Sequence, residues 1–216
     1  MKNIKFGRLI EFDNRSRKYP IRALIPKEVK PRSYTWRCLT YLDQKDQPAC
    51  VGFSITHEAA ARPVVIAGLT VYTALALYRR AQKLDEYPGE GDGTSILGGM
   101  KAATEKKWYR EYRWAFGEQD LCLAVGYHGP AVLGINWYTG MMEPDSKGII
   151  RVSGQSEGGH AILCVGYSLK SGFYRLHNSW GVGWGFGGDC FINKYEMAHL
   201  LTEQGEACIP ITRLPG

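Results

Sequence analysis

Apolar residues recur at helical spacing in the first half of the chain. An apolar run over residues 50–62 stops before Pro63, as a helix should, because proline cannot continue one. A second helix is predicted over residues 67–84, where i, i+3 and i+4 spacing marks a buried stripe of Val71, Ala74, Leu75, Tyr78 and Ala81. A third is predicted from a hydroxyl N-cap at Thr94 or Ser95 to about residue 107.

The second half changes to short apolar, strand-like runs. Strands are predicted over residues 129–137, 160–167, 173–177 and 189–192, and residues 207–211 close the chain. Short helices are predicted at 118–125 and 194–203. The helical first half and the strand-rich second half indicate an α+β fold.

Composition excludes several classes of protein. The 216 residues, 44% hydrophobic and 22% charged, suit one large or two small globular units. No apolar run approaches the ~18 residues of a membrane helix. The net charge of +6 is spread along the chain. Lys106–Arg110 interleaves basic and aromatic residues, which fits nucleic-acid binding or a solvated surface; without a recognition motif the surface is favoured. The six cysteines form no CxxC pair, so a zinc site is not expected.

Cys50 lies where the first predicted helix begins. Unpaired backbone N–H groups there favour a thiolate over a thiol, which a nucleophilic cysteine requires. Gln44, six residues upstream, can donate a hydrogen bond from its side-chain amide. A single cysteine of this kind is more often a buried apolar residue.

Two later segments strengthen the chemical interpretation. His160 stands at the head of an apolar strand, and Asn178 opens a Trp/Gly-rich segment. Cysteine, histidine and asparagine far apart in sequence can meet in a fold as a thiolate–imidazolium pair with an orienting amide. The other histidines, which lack such a context, are interpreted as structural or surface residues: His57, His128, His177 and His199.

The chain resembles the papain-like cysteine protease family. Residues 44–54 resemble its nucleophile loop, and residues 160–167 (HAILCVGY) resemble its histidine strand. Residues 178–185 (NSWGVGWG) resemble its asparagine signature. The resemblance extends from about Ser33 to the C-terminus.

The resemblance implies a fold of two halves with the active cleft between them. A helical half would span about 33–116, and a β-barrel-like half about 117–216. Residues 1–32 form an N-terminal arm, too short for the long helical propeptide of secreted relatives. Two arrangements are open: the arm packs on the body, which is favoured, or it lies across the cleft and inhibits.

The family's site residues carry over to positions in this sequence. Cys50 would be the nucleophile, His160 the general acid and base, and Asn178 the group that orients the imidazole. Gln44 would donate to the oxyanion together with the Cys50 N–H. The substrate cleft would be lined by Gly93, Thr94, Gly159 and Trp180, of which Trp180 would also shield the His160–Asn178 hydrogen bond.

Departures from the family pattern affect specificity and compartment. Val51 replaces an aromatic residue, and Thr94 occupies a position that is usually glycine. Arg213, near the floor of the family's main specificity pocket, would favour acidic side chains. Gln47 and Gly154 replace the usual disulfide cysteines, which suggests a reducing compartment. With no signal peptide recognised, a cytoplasmic location is expected.

The expected activity is hydrolysis of peptide bonds in a peptide or protein substrate. No metal or organic cofactor, nucleic acid or membrane is implied, and a monomer is expected. Two alternatives use the same fold. One is a thiol acyl-transfer enzyme such as an amidase, peptide ligase or transpeptidase, and the other is a binding module without catalysis.

Overall fold

A computed structural model describes residues 4–87 and 91–213, without the side chains of residues 212 and 213. The helices within these ranges are α1 Cys50–Ala60, α2 Val71–Ala81, α3 Ile96–Glu105, α4 Glu118–Tyr127 and α5 Lys194–Thr202. The strands are β1 Arg8–Leu9, β2 Tyr34–Thr35, β3 Thr94–Ser95, β4 Tyr109–Ala115, β5 Ala131–Tyr138, β6 Ser156–Ser168, β7 Phe173–His177, β8 Asp189–Asn193 and β9 Glu206–Arg213.

The three helices predicted in the first half are present. Every residue of α1 is buried, which explains its apolar and small side chains. The Ser95 side chain caps α3 by accepting from Gly98 N at 2.8 Å. In α2 the buried face comprises Ala74, Leu77, Tyr78 and Ala81. The predicted stripe is therefore shifted: Leu77 is buried, whereas Val71 is 36% exposed in the first turn.

One large antiparallel sheet forms the second layer. Its strands follow the order β4-β9-β5-β6-β7-β8, and β2 pairs with β6. Among the described residues the path does not close on itself, so the sheet is open, and the expectation of a β-barrel-like half is corrected. Closure would need pairing between the edge strands β4 and β8, which lie at opposite ends of the order.

Strand β4 was not expected from the sequence. The prediction extended helix α3 to about residue 107 and placed the end of the helical half at 116, but α3 ends at Glu105 and β4 pairs with β9. Tyr109, from the basic and aromatic cluster, is 1% exposed, and Trp108 packs partly buried against the core. The aromatics of this cluster therefore anchor the strand, which supports the surface interpretation.

Two apolar clusters fill the space between the layers. One lies between the sheet and helices α4 and α5 and includes Trp137 and Tyr174. The other joins α1 and α3 to residues of β5, β6 and β9, including Cys50, Ala161 and Cys208. This packing places the start of α1 against β6. All six cysteines are free and buried.

No helix within the described ranges has both the length and the apolar character needed to cross a bilayer.

A buried histidine pair links α1 to the sheet. His57 of α1 and His177 of β7 meet edge to face at 4.6 Å between ring centroids. His57 Nε2 accepts from Leu42 N at 2.9 Å, and burial, with the nearby His177, holds the pKa of His57 well below its usual value. His177 donates Nδ1–H to Asp189 at 2.7 Å and Nε2–H to the Thr40 carbonyl at 2.9 Å. His57 and His177 are therefore structural residues, as interpreted from the sequence.

The charge state of His177 makes stability depend on pH. Burial alone would lower its pKa, but hydrogen bonds with Asp189 and Cys38 outweigh burial and raise it to about 9. Because the pKa of His177 is higher in the folded than in the unfolded chain, protonated His177 stabilises the fold. Its contribution to the free energy of unfolding is complete below about pH 6.5 and is lost as pH rises through about 9. It is worth on the order of 3 kcal/mol.

We expect the melting temperature of the native chain to fall by roughly 5–10 °C more than that of His177→Gln between pH 6.5 and 9.5. Differential scanning calorimetry across this range checks the expectation. His199→Gln, at a side chain 54% exposed, is the control and should keep the native slope. Parallel slopes for all three proteins would contradict a charged His177.

Candidate functional site

Cys50 is the first residue of α1 and lies against strand β6. Its preceding residue, Ala49, is the N-cap of the helix. The thiol is fully buried, and Sγ accepts a hydrogen bond from the backbone N–H of Ala161 at 3.3 Å. Because Ala161 follows His160 in β6, the sheet brings the predicted histidine to the start of the helix.

His160 is held by Asn178, which follows β7. His160 Nε2 lies 2.9 Å from Asn178 Oδ1, and this oxygen also accepts from Ser179 N at 2.8 Å. An amide oxygen can accept a hydrogen bond but cannot donate one. His160 Nε2 must therefore be the donor to Asn178 Oδ1, so Nε2 carries the proton. His160 Nδ1 is buried and has no hydrogen-bond partner among the described residues. Neutral His160 therefore keeps a lone pair on Nδ1.

Aromatic rings enclose the His160–Asn178 hydrogen bond. Trp180 and Trp137 each lie with ring centroids 4.9 Å from the imidazole. Both indoles are nearly inaccessible, at 1% and 0% exposure. Exclusion of water strengthens a hydrogen bond and fixes the ring orientation. Trp180 therefore lies beside the imidazole of His160, and its shielding role stays a prediction.

Gln44 is tied to the asparagine segment. Its Oε1 accepts from Ser179 Oγ at 2.6 Å, and its backbone N–H donates to the Ser179 carbonyl at 2.8 Å. The amide nitrogen Nε2 donates to the carbonyls of Gln47 and Lys5, at 2.8 and 3.1 Å. The side chain is therefore oriented with its donors toward backbone carbonyls, one of which belongs to the N-terminal arm.

Part of the N-terminal arm lies in the cleft. The segment Lys5–Leu9, here called the cleft segment, passes over Cys50, and its last two residues pair in parallel with β3. The Gly7 carbonyl accepts from Thr94 N at 2.8 Å, and Phe6 meets His160 edge to face at 5.8 Å. The two arrangements considered from the sequence thus apply to different parts of the arm: Ile21 and Ile25 pack into the core of the body, as favoured, whereas Lys5–Leu9 lies across the cleft.

Glycines permit this close approach of two backbones. A Cβ at Gly7 would clash with the carbonyl oxygen of Pro48, and one at Gly159 with the carbonyl oxygen of Arg8. A Cβ at Gly93, whose φ is +111°, would lie 2.8 Å from the Gly7 oxygen. The predicted cleft residues Gly93, Thr94 and Gly159 therefore all contact the cleft segment. The Thr94 side chain is turned away from the groove, since its hydroxyl donates to Asp85 at 2.5 Å. Its backbone N–H therefore faces the cleft segment without obstruction from the side chain.

Burial beneath the arm sets the protonation of the pair. Desolvation raises the pKa of Cys50 to about 11, although N–H groups of Ala161, Gly7 and Val51 oppose it. Desolvation lowers the pKa of His160 to about 4, against the hydrogen bond with Asn178. The expectation of a thiolate at the helix start is wrong for this closed arrangement, because the cost of burying charge exceeds the stabilisation from the helix N–H groups. Burial beneath the arm therefore favours the neutral thiol and the neutral imidazole.

One feature of the site was missed from the sequence. The side chain of Arg8 enters a pocket that ends at Glu206, with Nη2 3.0 Å from Oε1 and both side chains at most 1% exposed. No local pattern marks either residue, since they are 198 positions apart. Arg213, predicted near a specificity pocket, has a side chain outside the described residues.

Comparisons with known proteins bear on the family and the fold of the chain. A model of papain family cysteine proteases matches residues 73–204, well over half of the chain. A "Cysteine protease" of Blomia tropicalis is 26% identical over 90 residues, 40% of this chain and 27% of that protein. The match thus spans about a quarter of that relative's length.

Solved structures share the fold at low identity. Xylellain, a cysteine protease from Xylella fastidiosa, has a TM-score of 0.68 at 18% identity and covers 99% of this chain and 98% of its own. The bromelain protease from Ananas comosus, solved with the E64 inhibitor, has a TM-score of 0.64 at 13% identity, covering 85% of this chain and 100% of its own.

We expect Gly7→Ala in the full chain to displace the cleft segment and expose Cys50. The added methyl would clash with the rigid backbone of Pro48, while every residue of the cleft stays unchanged. Alkylation of Cys50 by iodoacetamide at pH 8, followed by peptide mass spectrometry, should be at least tenfold faster than in the native chain.

Gly126→Ala is the matched control, because its Cβ would approach nothing closer than Arg32 Cγ at 3.4 Å. This variant should alkylate at the native rate. Equal rates for Gly7→Ala and the native chain would mean that the cleft segment does not restrict access to the thiol.

The pH dependence of the same reaction reports the pKa of Cys50. With a pKa of about 11, the thiolate fraction of the native chain should rise about tenfold per pH unit from 7 to 10. In Gly7→Ala the Cys50 sulfur is less desolvated and its pKa is lower. We therefore expect the alkylation rate to reach its inflection at a lower pH than in the native chain. A native profile that is flat over this range would show a thiolate already formed beneath the arm.

Proposed function

Because the chain belongs to the papain family of cysteine proteases, we propose that it hydrolyses peptide bonds through Cys50 and His160 by way of an acyl-enzyme. The observation that carries this proposal is the cleft segment itself. The groove above Cys50 accepts an extended polypeptide, whose backbone hydrogen-bonds to Thr94 and whose carbonyl reaches the amide of Gln44. A substrate strand would use the same donors.

Acylation begins with a proton transfer. His160 Nδ1, which keeps a lone pair, takes the proton from Cys50 Sγ, and Asn178 Oδ1 stabilises the imidazolium through the Nε2–H bond. The thiolate attacks the substrate carbonyl carbon and forms a C–S bond, and the carbonyl oxygen becomes an oxyanion. Gln44 Nε2 and the Cys50 backbone N–H would donate to that oxyanion.

Collapse of the tetrahedral intermediate breaks the C–N bond. The amine leaves with the proton from His160, and a thioester remains on Cys50. Neutral His160 then accepts a proton from water, whose oxygen attacks the thioester, and the carboxylic acid is released as the thiol reforms. The cycle returns every proton and consumes one water molecule.

The cleft segment would resist this reaction by its geometry. Its Gly7 N–H faces the sulfur and contributes to lowering the pKa of Cys50, whereas the Gly7 carbonyl points to Thr94 N. The sulfur therefore meets a hydrogen-bond donor rather than an electrophilic carbon. Turnover requires the segment to leave the groove.

The test is a cleavage assay in the Gly7→Ala background with a peptide library read by mass spectrometry. A peptide electrophile should add its mass at Cys50, and Cys50→Ala should abolish both labelling and cleavage. Adding amine acceptors separates hydrolysis from acyl transfer, because a transferase would give ligated products. A folded protein that shows neither labelling nor cleavage would indicate a binding module and overturn the proposal.

Replacing single donors in the same background measures their roles. We expect Gln44→Ala to lower kcat by about a hundredfold with little change in KM, because an oxyanion donor acts mainly in the transition state. The control is Gln47→Ala, because the side-chain amide of Gln47 donates to the exposed Asp46, away from the cleft segment. Steady-state kinetics compare the two variants, and a loss confined to KM in Gln44→Ala would contradict its assignment.

A further inference from the structure

We propose that Cys38 is a second reactive thiol of the chain, and that a small hydroperoxide oxidises it to a sulfenic acid in a cavity that it shares with His177 and Asp189. This inference goes beyond the proposed function and does not rest on it. It is carried by a fixed imidazolium beside the sulfur, by the charges around the cavity and by a buried donor without a partner in the same cluster.

The cavity lies between the segment that precedes α1 and three strands of the sheet. It has a volume of about 230 Å³, and its walls come from residues 35–41 and from single residues of β6, β7 and β8. Its lining includes neither Cys50 nor His160. The cavity is therefore separate from the groove that the cleft segment fills.

Hydrogen bonds identify His177 as a cation on the wall of this cavity. Its Nδ1 lies 2.7 Å from Asp189 Oδ1, and its Nε2 lies 2.9 Å from the carbonyl oxygen of Thr40. A carboxylate and a carbonyl only accept hydrogen bonds, so each ring nitrogen carries a proton. Asp189 also accepts from Arg175 Nε at 2.6 Å, which stabilises its ionised form. The imidazolium is thus held in place through both of its nitrogens.

The sulfur of Cys38 lies against this imidazolium. Sγ is 3.6 Å from the Thr40 carbonyl oxygen, the same atom that accepts from His177 Nε2. Burial opposes protonation of His177, but hydrogen bonds with Asp189 and Cys38 outweigh burial and raise its pKa to about 9. A cation beside a sulfur favours the thiolate, which is the nucleophilic form of a cysteine. The arrangement therefore supplies the activation that a reactive thiol requires.

The other charged residues of the cavity act in the same direction. Arg37 and Arg175 line it together with His177, so three positive groups face one carboxylate, that of Asp189. A site with this excess of positive charge favours an anion at the sulfur. Guanidinium and imidazolium N–H groups also stabilise the negative charge that develops on a departing oxygen.

A buried donor without a partner lies in the same cluster. His57 Nε2 accepts from Leu42 N, so the proton of this neutral ring is on Nδ1. That N–H is buried and has no hydrogen-bond partner within residues 4–87 and 91–213. The His57 carbonyl lies 3.5 Å from Cys38 Sγ, and its ring contacts that of His177. An oxygen on the sulfur would add an acceptor to a cluster that holds an unmet donor.

The restricted access to the sulfur sets the class of oxidant. Cys38 is 8% exposed, so a small molecule reaches its sulfur more readily than a peptide disulfide does. Hydrogen peroxide and short alkyl hydroperoxides fit a cavity of about 230 Å³. Thiolate character and access together decide which cysteine of a protein such an oxidant modifies.

The step is a two-electron oxidation of the sulfur. The Cys38 thiolate attacks one oxygen of the peroxide, and the S–O bond forms as the O–O bond breaks. The electron pair of the broken bond leaves with the other oxygen as hydroxide, or as alkoxide from an alkyl hydroperoxide. The proton that the thiol has released converts this anion to water or an alcohol. His177 keeps both of its protons, and Cys38 becomes a sulfenic acid.

The test treats the native full chain with hydrogen peroxide at pH 7 in the presence of dimedone, which traps sulfenic acids. Trypsin cuts after Arg37 and Lys45 and so separates Cys38 from Cys50 before peptide mass spectrometry. The internal reference is Cys122, which is 3% exposed and whose pKa burial raises to about 11. We expect labelling of Cys38 to be faster by about tenfold or more. Equal rates at the two cysteines would overturn the proposal.

Two variants separate activation of the sulfur from mere access to it. His177→Gln removes the cation, and we expect it to slow labelling of Cys38 by about tenfold. His199→Gln, at a side chain 54% exposed, is the matched control and should react at the native rate. Arg175→Gln changes a side chain that is 39% exposed, so it keeps the test informative if His177→Gln fails to fold by circular dichroism. It should slow labelling by about threefold. A native rate in whichever of these two variants folds rejects activation by the cluster and overturns the proposal.

Discussion

Desolvation of the Cys50 thiol beneath the cleft segment is the constraint on which the site depends. A helix N-terminus stabilises a thiolate by a limited amount, and removal of water from the sulfur and the imidazole acts in the opposite direction. In the closed groove the second effect is larger: desolvation raises the pKa of Cys50 to about 11 and lowers that of His160 to about 4, which favours the neutral form of each group. The same backbone segment therefore blocks access to the nucleophile and suppresses its ionisation.

The closed groove depends on backbone contact more than on side-chain packing. Gly7, Gly93 and Gly159 allow two strands to approach where any Cβ would meet a carbonyl oxygen. The hydrogen bonds from Thr94 and Gln44 to the segment are ones that an incoming substrate can replace. Substrate and segment thus compete for the same donors, and the equilibrium between open and closed chains follows from the difference in their binding free energies.

The sequence predicted those features that are encoded locally. The helices α1 and α3 follow from apolar periodicity, a proline stop and a hydroxyl cap, and β7 was placed at its observed bounds by a short apolar run. Cys50, His160, Asn178 and Gln44 are brought together as their motifs indicated, although their chemical roles remain proposals. These motifs carry information because each one couples a reactive side chain to the backbone that positions it.

Features that depend on distant partners were not predicted. Strand β4 mixes aromatic and charged residues without strict alternation, and only its pairing with β9 identifies it as a strand. The location of the arm depends on glycines on both sides of the groove, and no single stretch reveals that they meet. Glu206 looks like an ordinary surface carboxylate until the fold buries it opposite Arg8. Burial of Glu206 is costly without a counter-charge, and Arg8 supplies that charge only because the fold brings two positions 198 residues apart into contact.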